Sequence, residues 1–260
     1  MAGGAHSGLP QDVGISASCK CQCYNASHGG RGYRGEEGGV TEPETTTDIT
    51  EPQVQVQEAS LDEGIRLAIV GAGGYGRLAL DVLIASGFES WVIGFYDDAH
   101  AVLPEKVRGF PVLGDVAMLK SMLSVEAVHV VVAITDNAIR LRLANSIRAL
   151  GARFFTAVHP ASYASAESVV GDGSVLAAGA VVHPDAAVGS HCYVGPGAVV
   201  DRDAVVGAGA WVSAGAVVGP GARVGARAIL GQNASVGRRA LVEENADVAA
   251  LSSVEEGGSW

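Results

Sequence analysis

The chain has 260 residues with 17 basic and 28 acidic side chains, a formal net charge of −11, and no basic face interleaved with aromatics, which argues against nucleic acid as a partner. No apolar run reaches membrane-spanning length and the first residues lack the hydrophobic stretch of a secretory signal, so a soluble cytoplasmic protein is the expectation. Four cysteines, three of them in Cys19-Lys20-Cys21-Gln22-Cys23, do not make a disulfide framework in a chain of this size.

Residues 1–64 mix Gly, Ser, Thr, Glu and Gln with few aliphatics and hold ten acidic against three basic residues, a net of −7. Such a segment cannot bury enough apolar surface to offset the entropy of ordering, so a disordered acidic tail is predicted. The Cys19, Cys21 and Cys23 thiols with nearby His28 are donors of the kind that hold Zn²⁺ or Cu⁺. They lack a second ligand pair and a surrounding fold, and no metal is assigned. Asn25-Ala26-Ser27 is a glycosylation sequon that, without a secretory signal, reads as accidental.

Order is predicted from residue 65. The run 65–70, Ile-Arg-Leu-Ala-Ile-Val, suits a buried strand, and Gly71-Ala72-Gly73-Gly74-Tyr75-Gly76 follows at once, before a helix over 77–86. A Gly-x-Gly-x-x-Gly between a strand and a helix has a mechanism: without side chains, backbone N–H groups and the helix N-terminus can approach a diphosphate. A second strand over 91–96 ends in Asp97-Asp98, placed to accept from a ribose hydroxyl or a base edge. The alternative is that the glycines only permit tight packing and the aspartates cap the strand. A helix over 114–123, a buried strand over 127–134 and a helix over 137–150 complete a small Rossmann-like α/β domain, 65–157, with three to five strands. At about half the length of a full dinucleotide fold, it favours a mononucleotide or nucleotide-sugar over NAD, and no hydride-transfer site is visible.

From Val170 to Val248 the chain repeats every six residues, thirteen times without a break. Each hexad opens with Val or Leu, and its fifth residue is Ala, Ser174 or Cys192. The fourth is Gly six times and otherwise Asn233, Asn245, Asp185, Asp203, His191, Arg227 or Arg239, mostly types that tolerate positive φ and therefore suit a corner. A period of six fits neither a heptad seam nor a helix drifting at 3.6 residues per turn. It predicts a stacked parallel β solenoid of one short strand and one corner per hexad, over 158–250, with a C-terminal tail, 251–260.

The hexads, with Gly71-Ala72-Gly73-Gly74, Gly94-Phe95-Tyr96-Asp97-Asp98, Gly109-Phe110-Pro111-Val112-Leu113-Gly114, Asp136-Asn137 with Arg140, and His159-Pro160, resemble the sialic-acid-biosynthesis acetyltransferase family. That family includes the UDP-amino-sugar N-acetyltransferases. The resemblance implies a left-handed parallel β-helix with three hexads per coil, a homotrimer, and acetyl-CoA lying between adjacent prisms. It further implies a nucleotide-linked sugar held through Gly71, Gly73, Gly74, Tyr75, Asp97 and Asp98, in surface-glycan or sialic-acid-type biosynthesis. Trp211, Gly231 and Arg238 are assigned toward the coenzyme, and Arg223, Arg227, Arg238 and Arg239 form an outward guanidinium group suited to its phosphates.

Acetyl transfer needs a base and a bound thioester. The family draws its base histidine from the hexad Val200-Asp201-Arg202-Asp203-Ala204-Val205, where Arg202 stands instead, and a second family histidine aligns with Trp211. Arginine stays protonated and cannot serve as base. Eighteen-residue stacking places His183 beside Asp201 in the neighbouring coil, so the candidate catalytic set is His183, Asp201, Arg202 and Asp203. The bland alternative is a solvated corner histidine with Arg202 neutralising stacked aspartates. Tyr193 and Trp211 share a column and are expected to form an aromatic wall at the trimer seam or against the pantetheine arm. The rival function is a member that binds nucleotide-sugar and trimerises without transfer.

Overall fold

A computed structural model of the chain describes residues 65–256. The cysteine cluster, His28 and the Asn25 sequon lie outside them.

Strand β1 (Leu67–Val70) is wholly buried, as its uninterrupted apolar run requires of a central parallel strand. It pairs in parallel with β2 (Val92–Tyr96) on one side and β5 (His129–Val132) on the other. Strand β4 (Phe110–Gly114) extends the sheet beyond β2, with β3 (Lys106–Val107) antiparallel at that edge, and β6 (Arg153–Phe154) lies beside β5. The sheet thus has six strands in the order β3-β4-β2-β1-β5-β6, more than the three to five expected, because the two edge strands span two residues each and show no periodicity. Helix α1 (Gly74–Ala85) follows the glycine loop. Helices α2 (Val116–Leu123) and α3 (Asn137–Arg148) start at Asp115 and Asp136, whose carboxylates accept from the Met118 and Ile139 N–H groups, both at 2.8 Å. Each carboxylate satisfies a donor that the first helical turn leaves unpaired.

Beyond residue 157 every strand is two residues long and pairs in parallel with the strands eighteen residues before and after it, forming three flat sheets of six, six and five strands. The first stacks Ala157–Val158, Val175–Leu176, Tyr193–Val194 and Trp211–Val212 onward, the second runs from Tyr163–Ala164 to Ser253–Val254, and the third from Val169–Val170 to Leu241–Val242. The opening residues of the hexads point inward: Leu176, Val182, Val194, Val200, Val212 and Leu230 are all 0% exposed. Burying such a column excludes water along the whole axis. Every corner residue of the thirteen hexads has positive φ, from +54° at Asn233 to +73° at Gly179. The coils begin before the regular hexads, where Ala164 replaces the usual Val, and continue past Val248 to Val254, with Leu251 turning the last corner at φ +62°.

The two domains are fused through side chains. Helix α1 packs against the first β-helix sheet, and Ala157, Val175 and Tyr193 share a core with Leu80, Leu83 and Phe95 of the α/β domain.

Candidate functional site

Two adjoining cavities open at the C-terminal ends of β1, β2 and β5, where parallel α/β sheets bind ligands. One, about 270 Å³, is lined by Gly71, Gly73, Asp97, Asp98, Ile134 and Thr135. The other, about 490 Å³, shares Asp98, Val116 and Ile134 and adds Lys120, Arg142 and Ser146 between α2 and α3. Sequence reasoning missed these last three, which carry no motif and meet only because two helices flank the same edge.

The glycine loop owes its shape to backbone contacts. Gly71 has φ +100°, and an added Cβ would lie 2.6 Å from the Ala133 carbonyl oxygen. At Gly76 it would fall 1.8 Å from the Gly71 oxygen. Gly73 and Gly74 instead have nothing within 4 Å of a Cβ. No side chain caps α1, so its first N–H groups are left for water or an anion.

Asp97 is foremost a fastening: Oδ2 accepts from Ala72 N at 2.8 Å and Oδ1 from Ala99 N at 2.9 Å. Asp98 accepts from Val116 N at 3.1 Å through Oδ1, which leaves Oδ2 as the freer acceptor in the cleft. The structure therefore brings Gly71, Gly73, Asp97 and Asp98 together. It does not bring the Tyr75 side chain to them. Tyr75 is 5% exposed and turned into the domain junction, with ring centroids 5.3 Å from Tyr193 and 4.9 Å from Trp211. Burial pushes its phenol well above the usual range.

The same contact corrects the reading of Trp211. Its ring and that of Tyr193, 4.2 Å apart, form the expected aromatic pair, but their partner is Tyr75 of the same chain. An outward aromatic column looks identical in sequence whether a second copy, a cofactor or a neighbouring domain covers it. Gly231 serves packing: its Cβ would sit 2.4 Å from Ala250 N in the next coil. Arg238 is exposed, as are Arg223 and Arg239. Arg227 is committed, bonding Asn245 Oδ1 at 2.7 Å and the Glu244 carboxylate.

His183 and Asp201 meet at the corner that follows the second sheet, with Nδ1 2.9 Å from Oδ1. The Arg202 backbone N–H donates to the same oxygen at 2.7 Å. These two donors hold the Asp201 carboxyl below its usual range, the imidazole contributing most. A carboxylate can only accept, so Nδ1 donates, and in the neutral ring the free lone pair is then on Nε2, on a side chain 41% exposed. The Arg202 guanidinium lies 4.0 Å from Asp201 and is 64% exposed. Asp203 turns the corner at φ +60° and takes no part in the pair. Among the described residues no group of three or more His, Cys, Asp or Glu is arranged to hold a metal ion, and no helix is long and apolar enough to cross a membrane.

The architecture defines a two-domain hexapeptide-repeat protein, and the comparisons agree. Residues 66–147 match the PglD N-terminal domain, and 167–202 and 203–238 match the bacterial transferase hexapeptide, six repeats. The chain thus joins a PglD-type N-terminal domain to transferase hexapeptide repeats, the combination that its resemblance to the sugar acetyltransferases implied. It is 29% identical to the acetyltransferase domain of PglB from Neisseria gonorrhoeae FA1090, with a TM-score of 0.69 over 73% of this chain and 91% of that one. The same domain in complex with acetyl coenzyme A gives 29% and 0.68, over 75% of this chain and 96% of that one. A histidine-to-asparagine mutant of perosamine N-acetyltransferase from Caulobacter crescentus, in complex with CoA and GDP-perosamine, is 27% identical with a TM-score of 0.61, over 76% and 97%. No curated protein sequence matches the chain.

Proposed function

We propose that the protein transfers an acetyl group from acetyl-CoA to the amine of a nucleotide-linked sugar, as a cytoplasmic homotrimer. The carrying observation is the His183–Asp201 pair, a base with its orienting carboxylate on a scaffold shared with acetyltransferases. The glycine-loop cleft holds the nucleotide, with α1 N–H groups toward the diphosphate and Asp98 toward the ribose or base. Because the pair lies at the prism corner away from its own α/β domain, His183 Nε2 of one protomer accepts a proton from the amine of the sugar held in a neighbouring protomer's cleft, as that amine nitrogen bonds to the thioester carbonyl carbon. The tetrahedral intermediate collapses with loss of the CoA sulfur, which leaves with its bonding pair and is protonated by the imidazolium. Arg202, beside the pair, offers positive charge to the developing oxyanion. Exposed Arg238 and Arg239 lie further along the prism for the coenzyme's phosphates.

A second reading rests on one observation, that Arg202 occupies the position where the family carries its histidine. Under it the protein binds nucleotide-sugar and regulates or scaffolds an active partner. Thiol release from acetyl-CoA, measured with UDP- and GDP-linked amino sugars, separates the two. Acceptor-dependent release supports transfer; saturable nucleotide-sugar binding with no release supports the second reading and overturns the first.

A further inference from the structure

Among the described residues Arg140 is a charged side chain 0% exposed with no carboxylate bonded to it. Burying a guanidinium is costly unless each donor is paired. Here all five N–H groups are committed. Nε donates to the His191 carbonyl at 2.9 Å, and Nη1 to the carbonyls of Ile134 and Thr135 at 2.7 and 3.2 Å. Nη2 donates to Asn137 Oδ1 and the Gly209 carbonyl, both at 2.7 Å. Asn137, itself 6% exposed, donates from Nδ2 to the Arg227 carbonyl at 2.9 Å. The rings of Tyr75 and Trp211 close over the guanidinium, with centroids at 5.9 and 5.7 Å.

The acceptors fall into two groups that matter separately. Ile134 and Thr135 wall the glycine-loop cleft. His191 and Gly209 are each eight residues beyond His183 and Asp201 on the same two coils, joined to them through the paired strands Ala187–Val188 and Val205–Val206. One guanidinium therefore grips both the wall of the nucleotide cleft and the two coils whose stacking brings imidazole and carboxylate together.

We infer that Arg140, seconded by Asn137, is a positioning residue for the transfer reaction, holding the nucleotide cleft and the His183–Asp201 coils as one rigid body. The inference rests on the proposed function for its kinetic consequence, though not for its structural one. In the proposed homotrimer the sugar in this cleft meets the base of a neighbouring protomer, and a displacement of about an ångström between them is enough to slow a reaction on the order of a hundredfold, so the loss falls on turnover rather than on affinity.

The experiment compares wild type with Arg140→Met, Arg140→Lys and Asn137→Ala, scoring kcat and KM for the nucleotide-sugar per folded protein, and the Kd for UDP and GDP. Both Arg140→Met and Asn137→Ala are expected to lower kcat at least about tenfold with KM and Kd within about twofold of wild type, and Arg140→Lys to recover part of the loss. Unchanged kcat with only a lower Tm, or a kcat loss matched by an equal loss of nucleotide affinity, overturns the inference. If wild type shows no transfer, the proposed function fails, and hydrogen exchange decides the inference. Amides of residues 134–137, 189–191 and 207–209 must then speed up together in Arg140→Met while the coils around Val236 stay protected. Exchange that rises in 134–137 alone, or everywhere at once, contradicts it.

Discussion

His191 shows how one residue answers two demands. It turns a corner at φ +57°, a conformation histidine tolerates, while its ring is 3% exposed and packed edge-on to Phe154 at 4.5 Å. Burial lowers its pKa from 6.5 to about 4, against the opposing pull of Asp172, with Arg148 and Arg140 adding to the depression. The sign follows directly. Below about pH 6.5 the unfolded chain takes up a proton that the folded ring refuses, so stability falls from pH 6.5 toward pH 4, by up to about 3 kcal/mol. His191→Asn, which keeps the positive φ, should flatten that part of the stability profile in denaturant titrations at pH 7 and pH 4.5; an undiminished slope contradicts the assignment. Asp201 acts in a lower window. Its folded pKa is depressed, so its contribution is present above the usual carboxylate range and is lost as pH falls below it.

At the scale of elements, the hexads were legible because a period of six writes itself into three positions at once: an inward aliphatic, a small residue and a corner. The cap at Asp136 was legible as a polar residue just ahead of a helix, whereas the helix expected from residue 114 ran through Asp115, which in the structure is the cap itself. What could not be read was commitment. Nothing in Asp97-Asp98 says that the first carboxylate fastens Ala72 and Ala99 while the second keeps an oxygen free. Gly231 likewise reads as ligand space in sequence and as coil-to-coil contact in structure. Gly231→Ala should therefore lower Tm without raising the KM for acetyl-CoA; a raised KM at unchanged Tm would restore a binding role. Asp136→Ala, which removes the α3 cap, should cost about 1 kcal/mol in equilibrium unfolding.

At the scale of the molecule, the α/β domain covers the first sheet of the prism from Ala157 to Trp211, and the second and third sheets carry outward apolar residues, with Tyr163, Val217 and Leu241 at 55%, 38% and 42% exposure. Those two faces fit the homotrimer of the proposed function, and sedimentation should give a species of three 26.3 kDa chains; a monomer at micromolar concentration contradicts it. The docking that creates the junction was invisible in sequence because Tyr75, Arg140, Tyr193 and Trp211 are distant in the chain and meet only in the fold. The pair at the opposite corner was legible, since eighteen-residue stacking alone sets His183 beside Asp201. Whether that pair replaces the histidine absent at Arg202 is the central claim. Acceptor-dependent thiol release from acetyl-CoA by His183→Ala, compared with wild type, tests it most directly. The account predicts a loss of at least about a hundredfold in kcat with the assembly and nucleotide affinity intact; turnover equal to wild type would contradict it.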